Sequence, residues 1–233
     1  MNDRVKALLF AAVAALTAIP AWAQVGHEPA RSPFVELEYR QELTLLGGYL
    51  RTRRDPAGVA PKSRPMIGVR YEARLTGPLA VSADVIGGTG SREVIDPLKP
   101  VATRKLGSQS NVVVASDIAL ALNLTGARSW HSIVPQVRGG VGLVASRAKD
   151  DSSGFAFGTR FAFIVGGGVK YIPAGGRFQL RADVTDRIFK LGYPDAYYRL
   201  ASDNTAVLPG STAKSFYTRH TALTVGVSYL FAR

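Results

Sequence analysis

In three stretches of this chain, large apolar side chains recur at every second position in sets that no charged residue enters. Ile67, Val69, Tyr71, Ala73 and Leu75 form one set, Val112, Val114, Ile118, Leu120 and Leu122 a second, and Phe161, Phe163, Val165, Val169 and Tyr171 a third. A period of two belongs to the β-strand, whose successive side chains point to opposite faces. The opposite parity carries Arg70, Glu72, Arg74, Asp84, Asp117, Arg138, Arg160, Lys170, Arg181 and Asp183. A slip of one residue would exchange these faces, so the alternation assigns each residue to a face, although it does not name its cross-strand partner.

Eight such segments are expected, near residues 42 to 53, 65 to 76, 79 to 91, 111 to 124, 133 to 146, 157 to 171, 178 to 188 and 215 to 231. In the first, Val35, Leu37 and Tyr39 also alternate and offer an extension or a competing strand. Connections after the second, fourth and sixth segments are short and carry turn chemistry: Thr76-Gly77-Pro78, the stretch around Thr125-Gly126-Ala127, and Pro173-Ala174-Gly175-Gly176. Those after the odd segments are longer, over 54 to 64, 92 to 110, 147 to 156 and 189 to 214. Short turns at one end and long loops at the other describe an all-β, eight-stranded antiparallel up-and-down transmembrane barrel with short periplasmic turns and longer extracellular loops.

Parity alone does not separate a membrane barrel from a soluble one with its apolar face turned inward around a ligand. Side-chain size favours the membrane. The charged parity is interleaved with Gly68, Ala80, Ser82, Ala115, Ala119, Gly140, Gly142, Gly166, Gly168, Gly226 and Ser228, small residues that a crowded narrow bore requires. The ten charged residues are therefore expected to form a network in the lumen. Aromatic residues gather near both ends of the segments, Tyr71, Trp130, Tyr171, Phe178, Tyr229 and Phe231 below and Tyr49, Phe155, Phe157, Phe189, Phe216 and Tyr217 above, as two interfacial girdles would.

At the N-terminus, Arg4 and Lys6 precede an apolar run from Ala7 to Ile19, and Ala21-Trp22-Ala23 offers small residues for signal peptidase. Residues 1 to 23 are expected to be a signal peptide for Sec export, 24 to 41 a leader rich in proline and charge, and 42 to 233 the barrel. No later run reaches the roughly 18 apolar residues a spanning helix needs, so a membrane location requires a closed sheet. With no cysteine in the chain, no disulfide framework holds an exported fold together. The net charge of +12 finds its counter-charge more readily in an anionic lipopolysaccharide surface than in nucleic acid, which an exported protein does not meet.

Chemical motifs are few. Gly139-Gly140-Val141-Gly142 and Gly166-Gly167-Gly168 lie within strands and precede neither a helix nor a Lys-Ser/Thr pair, so they are packing devices and not phosphate cradles. The three histidines, His27, His131 and His220, show no metal-ligand spacing. His131 and Ser132 are adjacent and, on a strand, would face opposite sides. His220, read as exposed at the interface, has Ser215 and Tyr217 nearby but no evident acid partner. No catalytic, cofactor or metal residue is expected.

The closing segment, Thr224-Val225-Gly226-Val227-Ser228-Tyr229-Leu230-Phe231, resembles the C-terminal signal of bacterial outer-membrane β-barrels, with Ala232 and Arg233 following the aromatic residue. Over the mature chain the pattern resembles the small eight-stranded barrels of the OmpA and OmpX type. The resemblance implies that the barrel-assembly machinery reads Thr224, Gly226, Tyr229 and Phe231, that side chains fill the bore, and that binding is confined to the loops. A structural or surface-interaction protein of the outer membrane is thus expected, a monomer in contact with outer-membrane lipid and lipopolysaccharide. Two alternatives from other classes are a lipid A-modifying enzyme and a periplasmic lipocalin-like barrel. For loop contacts with lipopolysaccharide phosphates, Arg51, Arg53, Arg54, Lys62 and Arg64 are the candidates, with plain solvation the alternative, and the Tyr-rich run Tyr193 to Tyr198 offers either an adaptable surface or a cap on the girdle.

Overall fold

A computed structural model describes residues 32–231, apart from 54, 149–153 and 174–175. The expected signal peptide, the leader up to residue 31, and Ala232 and Arg233 lie outside the described residues. Ten strands follow one another: β1 (Phe34–Glu36), β2 (Gln41–Thr52), β3 (Arg64–Thr76), β4 (Leu79–Ile95), β5 (Lys105–Asn123), β6 (Arg128–Trp130), β7 (Ile133–Ala148), β8 (Gly158–Tyr171), β9 (Phe178–Gly192) and β10 (Ser215–Phe231). Eight of them form a ring, β2-β3-β4-β5-β7-β8-β9-β10, every pair antiparallel. The ring closes where β10 pairs with β2 over twelve positions, from His220↔Thr52 to Phe231↔Gln41. The fold is a closed eight-stranded antiparallel barrel.

The apolar parity faces outward. Ile67 is 66% exposed, Ile118 62% and Val225 65%, and the three expected sets line the outer wall with them. Arg70, Glu72, Asp84, Asp117, Arg138, Lys170, Arg181 and Asp183 are all buried inside. This orientation excludes a barrel with its apolar face turned inward around a ligand, because such a protein would show water a charged exterior. Instead the wall presents the apolar surface that hydrocarbon requires, where an Arg or Lys at the midplane costs about 2 to 4 kcal/mol.

Two short strands and several extensions go beyond the alternation pattern. Residues 34–36 neither extend nor replace β2. They form β1, which pairs with β6 below the ring through Phe34↔Trp130, Val35↔Ser129 and Glu36↔Arg128. Between β6 and β7, His131 and Ser132 have positive φ angles of 48° and 64° and make a two-residue turn closed by Trp130↔Ile133. These two residues are therefore not on a strand. At the outer end β4 and β5 run on as a long hairpin, and a single 3-10 turn, Asp195–Tyr198, lies in the last loop.

Small residues on the inner face are set by backbone proximity. A Cβ on Gly140 would lie 2.1 Å from the Ile118 carbonyl oxygen, and one on Gly48 2.1 Å from that of Leu223. Gly139 faces outward, with its nearest such atom at 3.8 Å. Gly140→Val is predicted to abolish refolding into detergent micelles, as read by β-sheet circular dichroism, whereas Gly139→Ala refolds with the yield of the parent.

Candidate functional site

The interior has two storeys of opposite character. In the lower one, four cations meet four carboxylates: Arg70, Arg138, Lys170 and Arg181 against Glu42, Glu72, Asp84 and Asp183. Asp84 accepts two bonds from Arg70, from Nε and Nη2, each 2.8 Å, and a third from Arg138 Nη1 at 2.8 Å. Arg70 Nη1 reaches across to Asp183 at 3.0 Å, and Arg181 Nε donates to the same Oδ2 at 2.9 Å. Lys170 Nζ bridges Glu42 and Glu72, which Arg181 also joins. Gln136 donates to Asp183 and Gln179 to Glu42. A fifth pair, Arg187 to Asp117, sits above these, with Nε to Oδ2 at 3.0 Å and Nη2 to Oδ2 at 2.6 Å.

Strand register produces this arrangement. Arg70 and Asp84 are direct cross-strand partners, as are Lys170 and Arg181. Buried charges are tolerated when they are paired or well hydrogen-bonded, since each costs several kcal/mol to desolvate. Eight of the ten expected lumen residues are placed inside and in these contacts. Arg74 and Arg160 are not: Arg74 donates to the Leu37 carbonyl at the lower mouth, and Arg160 to the Phe157 and Ala156 carbonyls at the outer rim. Arg181 pairs with Glu42, Glu72 and Asp183, while Arg187 takes Asp117. Sequence reasoning missed Glu42 and Arg187. Both follow the inward parity of their strands, Glu42 with Thr44 and Leu46, Arg187 with Asp183 and Thr185, and that signal would have found them.

Above the charges lies an apolar plug. Leu50, Met66, Ile86, Val113, Val144, Ala162, Ile164 and Phe189 from the strands pack with Val59, Phe155, Phe157, Tyr193, Tyr197 and Leu208 from the loops and strand ends. The upper aromatic girdle is thus largely internal. Phe155 and Phe157 are 5% exposed and Phe189 0%, with Phe216 packed against them, while only Tyr49 and Tyr217 of that set face outward as exposed rings. Of the lower set, Tyr71, Tyr171, Phe178 and Tyr229 are exposed on the outer wall, where Phe178 and Tyr229 meet edge-on at 5.5 Å, while Trp130 lies on β6 below the ring. Tyrosines of the last loop likewise turn inward: Tyr193 stacks near Phe155 and donates to Asp55 at 2.7 Å, and Tyr197 is fully buried. Burial, together with the bond to Asp55, pushes the Tyr193 hydroxyl above its ordinary pKa. Arg64 is buried too, donating to the Lys62 carbonyl and to Asn111, and Lys62 is paired with Glu93. Arg54 lies outside the described residues; Arg51 and Arg53 are exposed, as is Lys62 in its pair with Glu93.

His220 is inside the barrel, not at the interface. It is 3% exposed, edge-on to Phe189 at 4.7 Å, and its Nδ1 has no hydrogen-bond partner among the described residues. Ser215 and Tyr217 have the opposite, outward parity on β10, so no nucleophile and base come together there. No group of three or more His, Cys, Asp or Glu among the described residues is arranged to hold a metal. In β10, Thr224 and Gly226 point inward and Tyr229 and Phe231 outward.

The outer loops are tied to one another. Asp203 accepts the Val101 amide of the β4–β5 tip at 2.8 Å as well as Thr205, and Arg104 donates to Thr205. Hydrogen bonds from Thr205 and the Val101 amide hold the Asp203 carboxyl below its ordinary pKa. A depressed carboxylate contributes its stability above the unfolded value and loses it as pH falls through the folded one.

Solved structures to which this chain is similar include the attachment invasion locus protein Ail of Yersinia pestis, at 11% identity and a TM-score of 0.43, covering 82% of this chain and 99% of Ail. The N-terminal β-barrel domain of Pseudomonas aeruginosa OprF is 9% identical with a TM-score of 0.41, over 82% and 98%. A major outer membrane protein of Thermus thermophilus is 12% identical with a TM-score of 0.37, over 82% and 99%. No protein-family model matches the chain, and no curated protein sequence does.

Asp84→Ala takes from Arg138 its carboxylate partner and from Arg70 one of two, and is predicted to cost about 3 to 5 kcal/mol in urea unfolding from detergent, while Arg160→Ala at the rim costs under about 1 kcal/mol. Protease cleavage in the loops is predicted to accelerate below about pH 4, and in Asp203→Asn to be fast at neutral pH as well. Closed through β10 and β2, apolar outside and filled within, the chain has the architecture of a small eight-stranded transmembrane β-barrel.

Proposed function

We propose that this protein serves in the outer membrane as a structural and surface-interaction barrel, exported through the Sec pathway on residues 1 to 23 and assembled by the barrel-assembly machinery from its C-terminal strand. The observation that carries the reading is the filled interior. Ion pairs occupy the lower bore and an apolar plug the upper, so the barrel offers the outside a platform of clasped loops and no wide aqueous passage. A barrel whose interior is committed to packing leaves contact with other molecules to its loops and outer wall.

Those surfaces are basic at the outer end. Arg51 and Arg53 project outward from the end of β2, next to the β10 residues that close the ring. Guanidinium groups at headgroup depth suit bidentate contact with lipopolysaccharide phosphates, in a protein acting as a monomer without a catalytic centre. Against an enzymatic reading stands the place of His220, shut inside the wall and away from any lipid acyl chain.

Outer-membrane fractions are predicted to contain a band that runs faster in SDS before boiling than after, because a closed barrel keeps its shape in the detergent. The purified protein in planar bilayers is predicted to show no steady conductance step. Recovery in the soluble periplasm, or a stable open channel, would refute the proposal.

A further inference from the structure

The wall of the barrel is not closed to its full height. The ladder between β8 and β9 runs from Tyr171↔Leu180 to Ala162↔Phe189 and stops. Above it, Gly158 to Phe161 of β8 stay paired with β7, and Lys190 to Gly192 of β9 stay paired with β10. The two strands part at the outer rim, and their facing backbone groups leave the sheet. Unpaired backbone polar groups do not face hydrocarbon, because each costs several kcal/mol there. Something polar must meet them at headgroup depth.

A groove of about 510 Å³ lies over this parting, lined by Thr159, Arg160, Phe161, Phe163, Lys190 and Tyr217 among others. Its lower walls are apolar, Phe161 and Phe163 on β8 being 55% and 51% exposed and meeting edge-on at 5.3 Å. Its upper edge is cationic. Neither Lys190 nor Arg160 has a carboxylate within ion-pair distance among the described residues, whereas Arg219 below faces Asp186 at 3.7 Å and Lys214 above binds Asp195 at 2.6 Å. Among the described residues, Arg219 and Lys214 thus have carboxylate partners and the two cations that border the groove do not.

We infer that this groove binds the phosphorylated sugar headgroup of an outer-leaflet saccharolipid, lipid A in chemical class, with the phosphate between Lys190 and Arg160 and an acyl chain against Phe161, Phe163 and Tyr217. Charge complementarity and an apolar wall that runs down from a cationic rim match such a lipid lying upright in its leaflet. Sugar hydroxyls would meet the backbone groups that the parted strands release. This rests on the proposed orientation, with the loops outward.

The test is native mass spectrometry of the refolded barrel in detergent, titrated with bisphosphorylated lipid A, with the same lipid stripped of phosphate, and with phosphatidylglycerol. One bound lipid A is expected. Lys190→Ala should weaken it at least about tenfold, the scale of one charge-assisted phosphate bond, and Lys190→Glu further, while Lys105→Ala on the distant β4–β5 hairpin leaves it unchanged. Equal binding of the dephosphorylated lipid or of phosphatidylglycerol, or indifference to Lys190, would overturn the inference. Heat-dependent mobility of the same samples reports separately on the barrel, so a folded, membrane-derived protein that fails to bind removes the groove and not the outer-membrane reading.

Discussion

Everything in this molecule depends on the requirement that backbone amides facing lipid find partners within the protein. A sheet meets that demand only by closing, and closure here rests on the ladder of twelve positions between β2 and β10. Once the ring has eight strands, its bore is narrow enough that side chains must fill it. Glycines such as Gly48 and Gly140 then become obligatory where strand carbonyls approach at 2.1 Å from a would-be Cβ. Charged residues pushed inside by the same alternation have to neutralise one another.

The two storeys answer that constraint differently. Near the lower mouth the bore is held by guanidinium–carboxylate contacts whose directionality fixes the strands against one another, with Asp84 and Asp183 as the shared acceptors. Toward the outside, loops fold back and cover the opening with Tyr193, Tyr197, Phe155 and Leu208, so the plug is made jointly by barrel wall and loops. Asp55 exemplifies the link: buried in the first loop, it accepts the amides of Val59 and Ala60 and the hydroxyl of Tyr193 from the last. The leader, through β1 and the Arg74 contact to the Leu37 carbonyl, braces the opposite mouth.

The wall was legible in the sequence because its signal is local. Alternation in β3, β5 and β8 specifies which face meets lipid, and turn residues such as Thr76-Gly77-Pro78 specify where strands reverse. Non-local features were not legible. Whether Phe157 and Phe189 belong to a girdle or a plug depends on loops that fold back over them, and an aromatic near a strand end looks the same in either case. His220 read as interfacial because its neighbours Tyr217 and Ser215 are, although its own parity with Thr218 and Thr224 pointed inward. Pairing partners for Arg181 and Asp117 depended on reach across the bore, which alternation does not encode. β1 and β6 are three residues each, too short for a periodic signal.

The uncharged face of the sheet meets lipid and the charged face is packed inside. A chain without cysteine permits single-cysteine spin labelling along β5 in bilayers, with oxygen as the apolar probe and a nickel chelate as the aqueous one. The account predicts high oxygen accessibility at Val114, Ile118 and Leu120, and low accessibility to both reagents at Ala115, Ala119 and Ala121. Chelate reaching Ile118 and Leu120, or oxygen accessibility without a period of two, would contradict it.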